Sequence, residues 1–183
     1  MIYLILLTLE IIVLYLLMRR LLQKLYRKLG TWFFAILFLP GTFFHEISHF
    51  LTALFLLVPV GNIELMPQRQ GDSVKMGSVP IGKTDPIRRT LIGIAPVIFG
   101  LGVLFVTTPL TIPIWVHGFI AFEVGNTMFS SKKDLEGSWI LIFLIPLVFI
   151  LKIDWSILQK VDVFLVIPIG IDIIGILIFN MLK

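Results

Sequence analysis

Apolar residues in this chain come in long blocks separated by short polar breaks. A bilayer core about 30 Å thick needs roughly 20 largely apolar residues per helix, so each block reads as a candidate membrane segment. The first, residues 2 to 18, is closed by Arg19 and Arg20. No basic residue precedes it and no small-residue cleavage site follows it, which predicts a retained anchor instead of a secretory signal. Residues 31 to 60 run longer than one span requires and are interrupted at Pro40-Gly41. Proline removes a backbone donor and clashes with the preceding turn, so a fresh helix start is expected there, with Thr42 as its cap and a useful helix from about 42 to 58. Further apolar runs follow at 90 to 108, 111 to 129, 138 to 151 and 161 to 182, with breaks at Pro109, at Pro113 and from Lys152 to Lys160.

Residues 60 to 89 form the long polar stretch. Within it Asn62 to Met66 and Ser73 to Val79 flank Gln70-Gly71-Asp72, and the second piece partly alternates, which predicts a short hairpin. The expected fold is thus an all-α polytopic membrane protein with about six transmembrane segments and a short β-hairpin-like loop after the second of them. One membrane-embedded domain is expected over 1–183: an anchor and basic loop (1–29), a core (30–137) and C-terminal spans (138–183).

Composition strengthens the membrane reading. Of 183 residues, 58% are hydrophobic and 14% charged, with a mean hydropathy of +1.04; soluble proteins have roughly 45 to 50% apolar and about 25% charged residues. So small a chain has too little interior to hide that much apolar surface. The expected location is a multi-pass integral membrane protein, in the plasma membrane of a prokaryote, with the lipid bilayer as its first partner. The net charge of +4 does not point to nucleic acid, because the fifteen Lys and Arg lie in short stretches between apolar runs and form no basic face. Arg19, Arg20, Lys24, Arg27 and Lys28 are the densest positive cluster and favour the cytoplasmic side, in competition with Arg69, Lys75, Lys83, Arg88 and Arg89. Cysteine is absent, which excludes disulfides, thiolate metal sites and cysteine nucleophiles together.

Against this background an ionisable side chain inside a span needs a reason, since it costs on the order of 2.5 to 3.5 kcal/mol at the bilayer centre. The segment Phe43-Phe44-His45-Glu46-Ile47-Ser48-His49-Phe50 holds three such groups within five residues. On an α-helix His45 and His49 stand one turn apart on one face, so both imidazoles can reach one cation. Glu46 lies beside that face and can take a proton from water without being a ligand, the arrangement that makes H-E-x-x-H on a helix a zinc hydrolase signature. Polar interhelical contacts are the bland alternative, but two of the three histidines fall at metal spacing around a glutamate. A catalytic zinc usually has three protein ligands and one open position. The third ligand is open among His117, Glu123, Asp134 and Glu136, with Glu10 and Asp172 as outsiders that are more simply interhelical or oligomer contacts. Trp32, Phe33, Phe34, Phe43 and Phe44 read as span packing and interface anchoring.

Pro40-Gly41-x-x-x-His45-Glu46-x-x-His49, then a hairpin-like loop, then Ile94-Ala95-Pro96, then Asn126 followed by Asp134, resembles the site-2 protease family of intramembrane zinc metalloproteases. That family carries its third ligand in Asn-x-x-Pro-x-Pro-x-Leu-Asp-Gly. Asn126 and Asp134 keep the spacing, whereas Phe129 and Ser131 stand at the proline positions, Lys133 at the leucine and Leu135 at the glycine. The resemblance covers residues 40 to 140. It implies Zn²⁺ held by His45, His49 and Asp134, Glu46 as the general base, and Asn126 as a donor to the oxyanion; a membrane zinc hydrolase of different specificity, with Glu123 or Glu136 as third ligand, is a separate alternative. The substrate that the resemblance implies is a membrane-spanning or membrane-associated protein, unwound and held by β-augmentation on the loop. Selection would fall to the spans, the loop, a homo-oligomer or a partner subunit. The competing reading is a non-catalytic metal-binding scaffold that keeps the fold.

Overall fold

The computed structural model describes residues 2–70, 73–107, 111–129, 131, 134 and 156–181. Within them five helices run in the order α1 (Ile2–Leu37), α2 (Leu39–Phe55), α3 (Pro86–Thr107), α4 (Ile114–Thr127) and α5 (Ser156–Met181), with strands β1 (Gln68–Gln70) and β2 (Ser73–Lys75) between α2 and α3.

The six-span architecture is corrected by this arrangement. Among the described residues only α3 is both long and apolar enough to cross a membrane, and the apolar part of α5, Leu165–Met181, is shorter. Two physical reasons account for the difference. The helix that begins in the first apolar run does not stop at Arg19 but continues through the basic cluster as far as the break at Gly30, so it carries its charges along its own length. Helices α2 and α4 have 17 and 14 residues, short of the roughly 20 a bilayer core asks for. The run at 138 to 151, with Lys132, Lys133 and Glu136, lies outside the described residues.

α1 is two helices joined at Gly30, whose φ of 72° and ψ of 174° belong to a region essentially reserved for glycine. The chain turns there, and Tyr26 and Thr31 share a hydroxyl hydrogen bond of 3.2 Å across the bend. The first part of α1 packs chiefly on α5. Leu7 and Leu14 meet Leu104, Ala121, Val124, Met128 and Leu165 in one buried cluster, and Leu21, Leu25, Phe34 and Phe38 form a second with Phe122 and Phe179 against it. Lys24 donates to Asn180 Oδ1 at 2.6 Å, fixing the far end of this helix pair.

The start of α2 also differs from expectation. The helix begins at Leu39, with Pro40 in its first turn where a missing N–H costs nothing, and Thr42 lies inside it as a buried residue. The end is capped from a distance: Glu123 Oε2, on α4, accepts the Gly41 N–H at 2.9 Å. α3 is capped locally, since Asp85 Oδ1 accepts from the backbone N–H groups of Ile87 and Arg88 at 3.0 Å each. The same two N–H groups, Arg88 first, and the Arg88 guanidinium hold the Asp85 carboxyl below its ordinary value.

Residues 59–70 pair back against residues 73–82. Val60 bridges Ile81 and Glu64 bridges Ser78, both antiparallel. Gly61 N–H donates to Pro80 O and Gly82 N–H to Pro59 O, each at 2.8 Å. The strands pair Gln68 with Lys75, Arg69 with Val74 and Gln70 with Ser73. The first strand thus stands at Gln68–Gln70, not at the Asn62 to Met66 segment that alternation suggested, which contributes a single bridge through Glu64. Ala53, Val58 and Ile92 bury the base of this ribbon against α2 and α3.

Candidate metal centre

α2 supplies the centre's first two groups because its 3.6-residue period stacks His45 on His49. Their rings lie 4.8 Å apart at 79°, with Nε2 to Nε2 at 3.2 Å. Each ring is fixed by its other nitrogen. His45 Nδ1 donates to Thr127 O at 2.6 Å, and His49 Nδ1 donates to Ile92 O at 2.7 Å. A carbonyl can only accept, so each ring keeps a proton on Nδ1 and leaves Nε2 as the nitrogen that can take up a proton or a metal ion. Two such nitrogens face one another stably at this distance only when a cation, proton or metal ion, lies between them.

Asp134 closes the group. Its Oδ2 stands 3.9 Å from His45 Nε2 and 3.7 Å from His49 Nε2. One ligand atom from each of the three residues lies within 4.8 Å of the others, so this group could hold a metal ion. For bonds of about 2.0 to 2.2 Å, adjacent ligands of a tetrahedral ion stand roughly 3.3 to 3.6 Å apart. The His–His edge of 3.2 Å already fits this, and the two edges to Asp134 need only a small swing of the carboxylate. Burial alone would raise the Asp134 carboxyl, but the His49 imidazole and the Ser131 hydroxyl and amide hold it down at about 2. It is therefore an anion ready to bind a cation.

Two contacts place Asp134. Ser131 N–H donates to Oδ2 at 2.7 Å while the Asp134 N–H donates back to Ser131 Oγ at 3.3 Å. On the opposite side the Asp134 carbonyl rests against Gly93 of α3, so closely that a Cβ at Gly93 would collide with it. Gly93 is a site residue that sequence reasoning missed. It lies one position beyond Ile92, whose carbonyl holds His49, and the run Ile92-Gly93-Ile94-Ala95-Pro96 offered no signal beyond its lack of a side chain.

Glu46 is buried and lines, with the three ligand candidates, a cavity of about 1000 Å³. The ribbon roofs it: Gly77 comes so near that a Cβ there would stand 2.9 Å from Glu46 Oε1. A proton acceptor and the metal group thus share one cavity, bounded on one side by the segment Met76 to Ile81.

The other candidates fall elsewhere. Glu123, the reserve ligand, caps α2, and Glu10, His117 and Asp172 are likewise outside the metal group found among the described residues. Glu136 is outside the described residues altogether. Asn126 lines the cavity, yet both its Nδ2 hydrogens are engaged, by Phe122 O and Asp172 Oδ1 at 2.9 Å each. The oxyanion-donor role expected for it does not fit this arrangement, because no donor is left facing the metal group. Compared with protein-family models, curated proteins and solved structures, the chain matches none.

Proposed function

We propose that the chain is a zinc-dependent membrane peptidase of the site-2 protease kind, acting on peptide bonds of membrane-spanning or membrane-associated proteins. The observation that carries this reading is the facing pair of His Nε2 atoms, opposed by the Asp134 carboxylate, with Glu46 in the same cavity. Two histidines, a carboxylate and no cysteine anywhere in the chain suit zinc with an open fourth position.

When bound, such an ion supplies Lewis acidity, which acidifies water and polarises a carbonyl oxygen. The chain's own residues do the rest. The Thr127 and Ile92 carbonyls keep both imidazoles turned so that their lone pairs face the cavity. Glu46 accepts the proton of the attacking water and delivers it to the leaving amine. Gly77 and its neighbours keep bulk water off Glu46, and the ribbon's outer edge offers backbone groups to an unwound substrate strand.

Membrane residence is supported by apolar side chains left exposed along the outer faces of the helices, among them Ile5, Leu9, Ile12 and Leu16 on α1, Leu51, Leu54 and Phe55 on α2, and Ile174, Leu177 and Ile178 on α5. Contiguous exposed apolar surface of this kind seeks lipid or a partner. The test is metal content together with cleavage of a fluorogenic transmembrane peptide in detergent micelles. Wild type should carry one zinc per chain, Asp134→Ala should lose most of it, and Glu46→Gln should keep it while losing turnover by at least about a hundredfold. Full turnover by Glu46→Gln would refute the mechanism. Bound zinc without turnover in wild type would favour the scaffold.

A further inference from the structure

Of the ionisable residues that line the metal-centre cavity, His45, Glu46, His49 and Asp134 make up the metal group and its proton acceptor. The remaining one is Arg89, in the first turn of α3. Its neighbour Arg88 is exposed and pairs with Asp85 at 3.2 Å, away from the cavity wall, whereas Arg89 is half-buried. Residues three and four apart share a helix face, so Arg89 stands on the face of α3 that carries the Ile92 carbonyl, which holds His49, and Gly93, which rests against Asp134. A cation in the first turn of a helix opposes the helix dipole, so α3 itself gains nothing from this charge.

We infer that Arg89 is a specificity-determining residue that pairs with a carboxylate of the substrate close to the scissile bond. The inference rests on the peptidase reading and adds a substrate class to it: peptides that carry an acidic side chain, or their own C-terminal carboxylate, at that distance. A guanidinium stays charged and has five N–H donors in a planar fork, so a contact within the protein still leaves donors for a two-pronged bond to a carboxylate. The cavity wall also carries Leu22, Phe34, Phe38, Met76 and Ile81, and beside such apolar groups opposite charges attract more strongly than in water. One turn of α3, about 5.4 Å, separates Arg89 from Gly93, and an extended strand rises about 3.3 Å per residue. The carboxylate therefore falls within about three residues of the bond to be cut.

The test is kcat/KM of the zinc-loaded full chain in micelles for two sets of fluorogenic transmembrane peptides. One set carries Glu or Gln at each position within three residues of the cleaved bond, and the other ends within three residues past it in a free carboxylate or a carboxamide. In wild type one position should favour the acid over its amide by about tenfold, the worth of one charge-assisted pair. Preference for an internal Glu assigns the partner as an acidic side chain, and preference confined to the second set assigns it as the C-terminal carboxylate. Arg89→Gln should bring the ratio below about twofold, Arg89→Lys, which keeps the charge without the fork, should leave an intermediate ratio, and Arg88→Gln should keep the wild-type one. Each ratio compares two peptides on one protein, so a general loss of rate does not enter it, and zinc content near one per chain identifies the variants that are folded. An undiminished ratio in folded Arg89→Gln would overturn the inference, since the pull would then come from the metal. If Arg89→Gln does not fold, a full wild-type ratio in Arg89→Lys would overturn it likewise. A wild type that cleaves the neutral peptides with no preference for acid would overturn this inference and leave the peptidase reading standing. A zinc-loaded wild type that cleaves neither set would instead overturn the peptidase reading, and this inference with it.

Discussion

Replacing Gly93 by alanine adds one methyl group on α3, 41 residues from the ligand it should disturb. The Cβ would strike the Asp134 carbonyl oxygen and stand 2.9 Å from the carbonyl carbon, against the 3.4 to 4 Å of an ordinary contact. That neighbour is backbone, so it cannot rotate away. Either the segment bearing Asp134 retreats or α3 shifts, and α3 also carries the Ile92 carbonyl that orients His49. Metal bonds of about 2.0 to 2.2 Å tolerate little displacement, and disturbing the groups that orient ligands typically costs about 10 to 100-fold in affinity. Gly93→Ala should therefore weaken zinc binding by about that factor in a chelator competition, while helical circular dichroism stays unchanged. Gly102→Ala is the control, since it adds the same methyl to the same helix where nothing stands within 4 Å. If Gly93→Ala bound zinc as tightly as Gly102→Ala, Asp134 would not be a ligand held by this contact.

Glu123→Leu should leave zinc stoichiometry unchanged but strand the buried Gly41 N–H, lowering stability by about 1 to 3 kcal/mol in chemical denaturation, with Glu123→Gln recovering most of the loss. Asp85→Ala should lower the melting temperature by removing the α3 cap, and Asp85→Asn should restore it. Because the folded state holds the Asp85 carboxyl below its ordinary value of 3.8, its contribution is fully present above that pH and fades as pH falls through the depressed folded value. A melting curve from pH 6 to pH 2 should thus drop more in wild type than in Asp85→Asn. An equal drop in the two would remove Asp85 as the cause.

The fold was legible in parts. Breaks at Pro40 and Pro113 separate helices because proline acts on its own backbone turn, an effect that needs no partner. The same local reading failed at Arg19, where charge was taken as the end of a segment. Hydropathy registers that lipid would reject arginine, but a helix needs only its own backbone hydrogen bonds to run on through Lys28. The ribbon's first strand was misplaced by a few residues for a related reason, since pairing register is set by the partner strand and not by alternation within one strand.

The sequence alone determined the pair His45 and His49 with Glu46 beside them, because one turn of helix fixes their relative positions whatever the rest of the chain does. It also restricted the donors to nitrogen and oxygen through the absence of cysteine. Tertiary structure decided what that pair can do. Thr127 and Ile92 oriented the imidazoles, Gly93 made room for Asp134, Glu123 became a cap instead of a ligand, and Asp172 took a hydrogen bond from the Asn126 amide. Each of these contacts joins residues at least 41 positions apart. No spacing rule along a chain can anticipate them, since they exist only once packing has brought the helices into register.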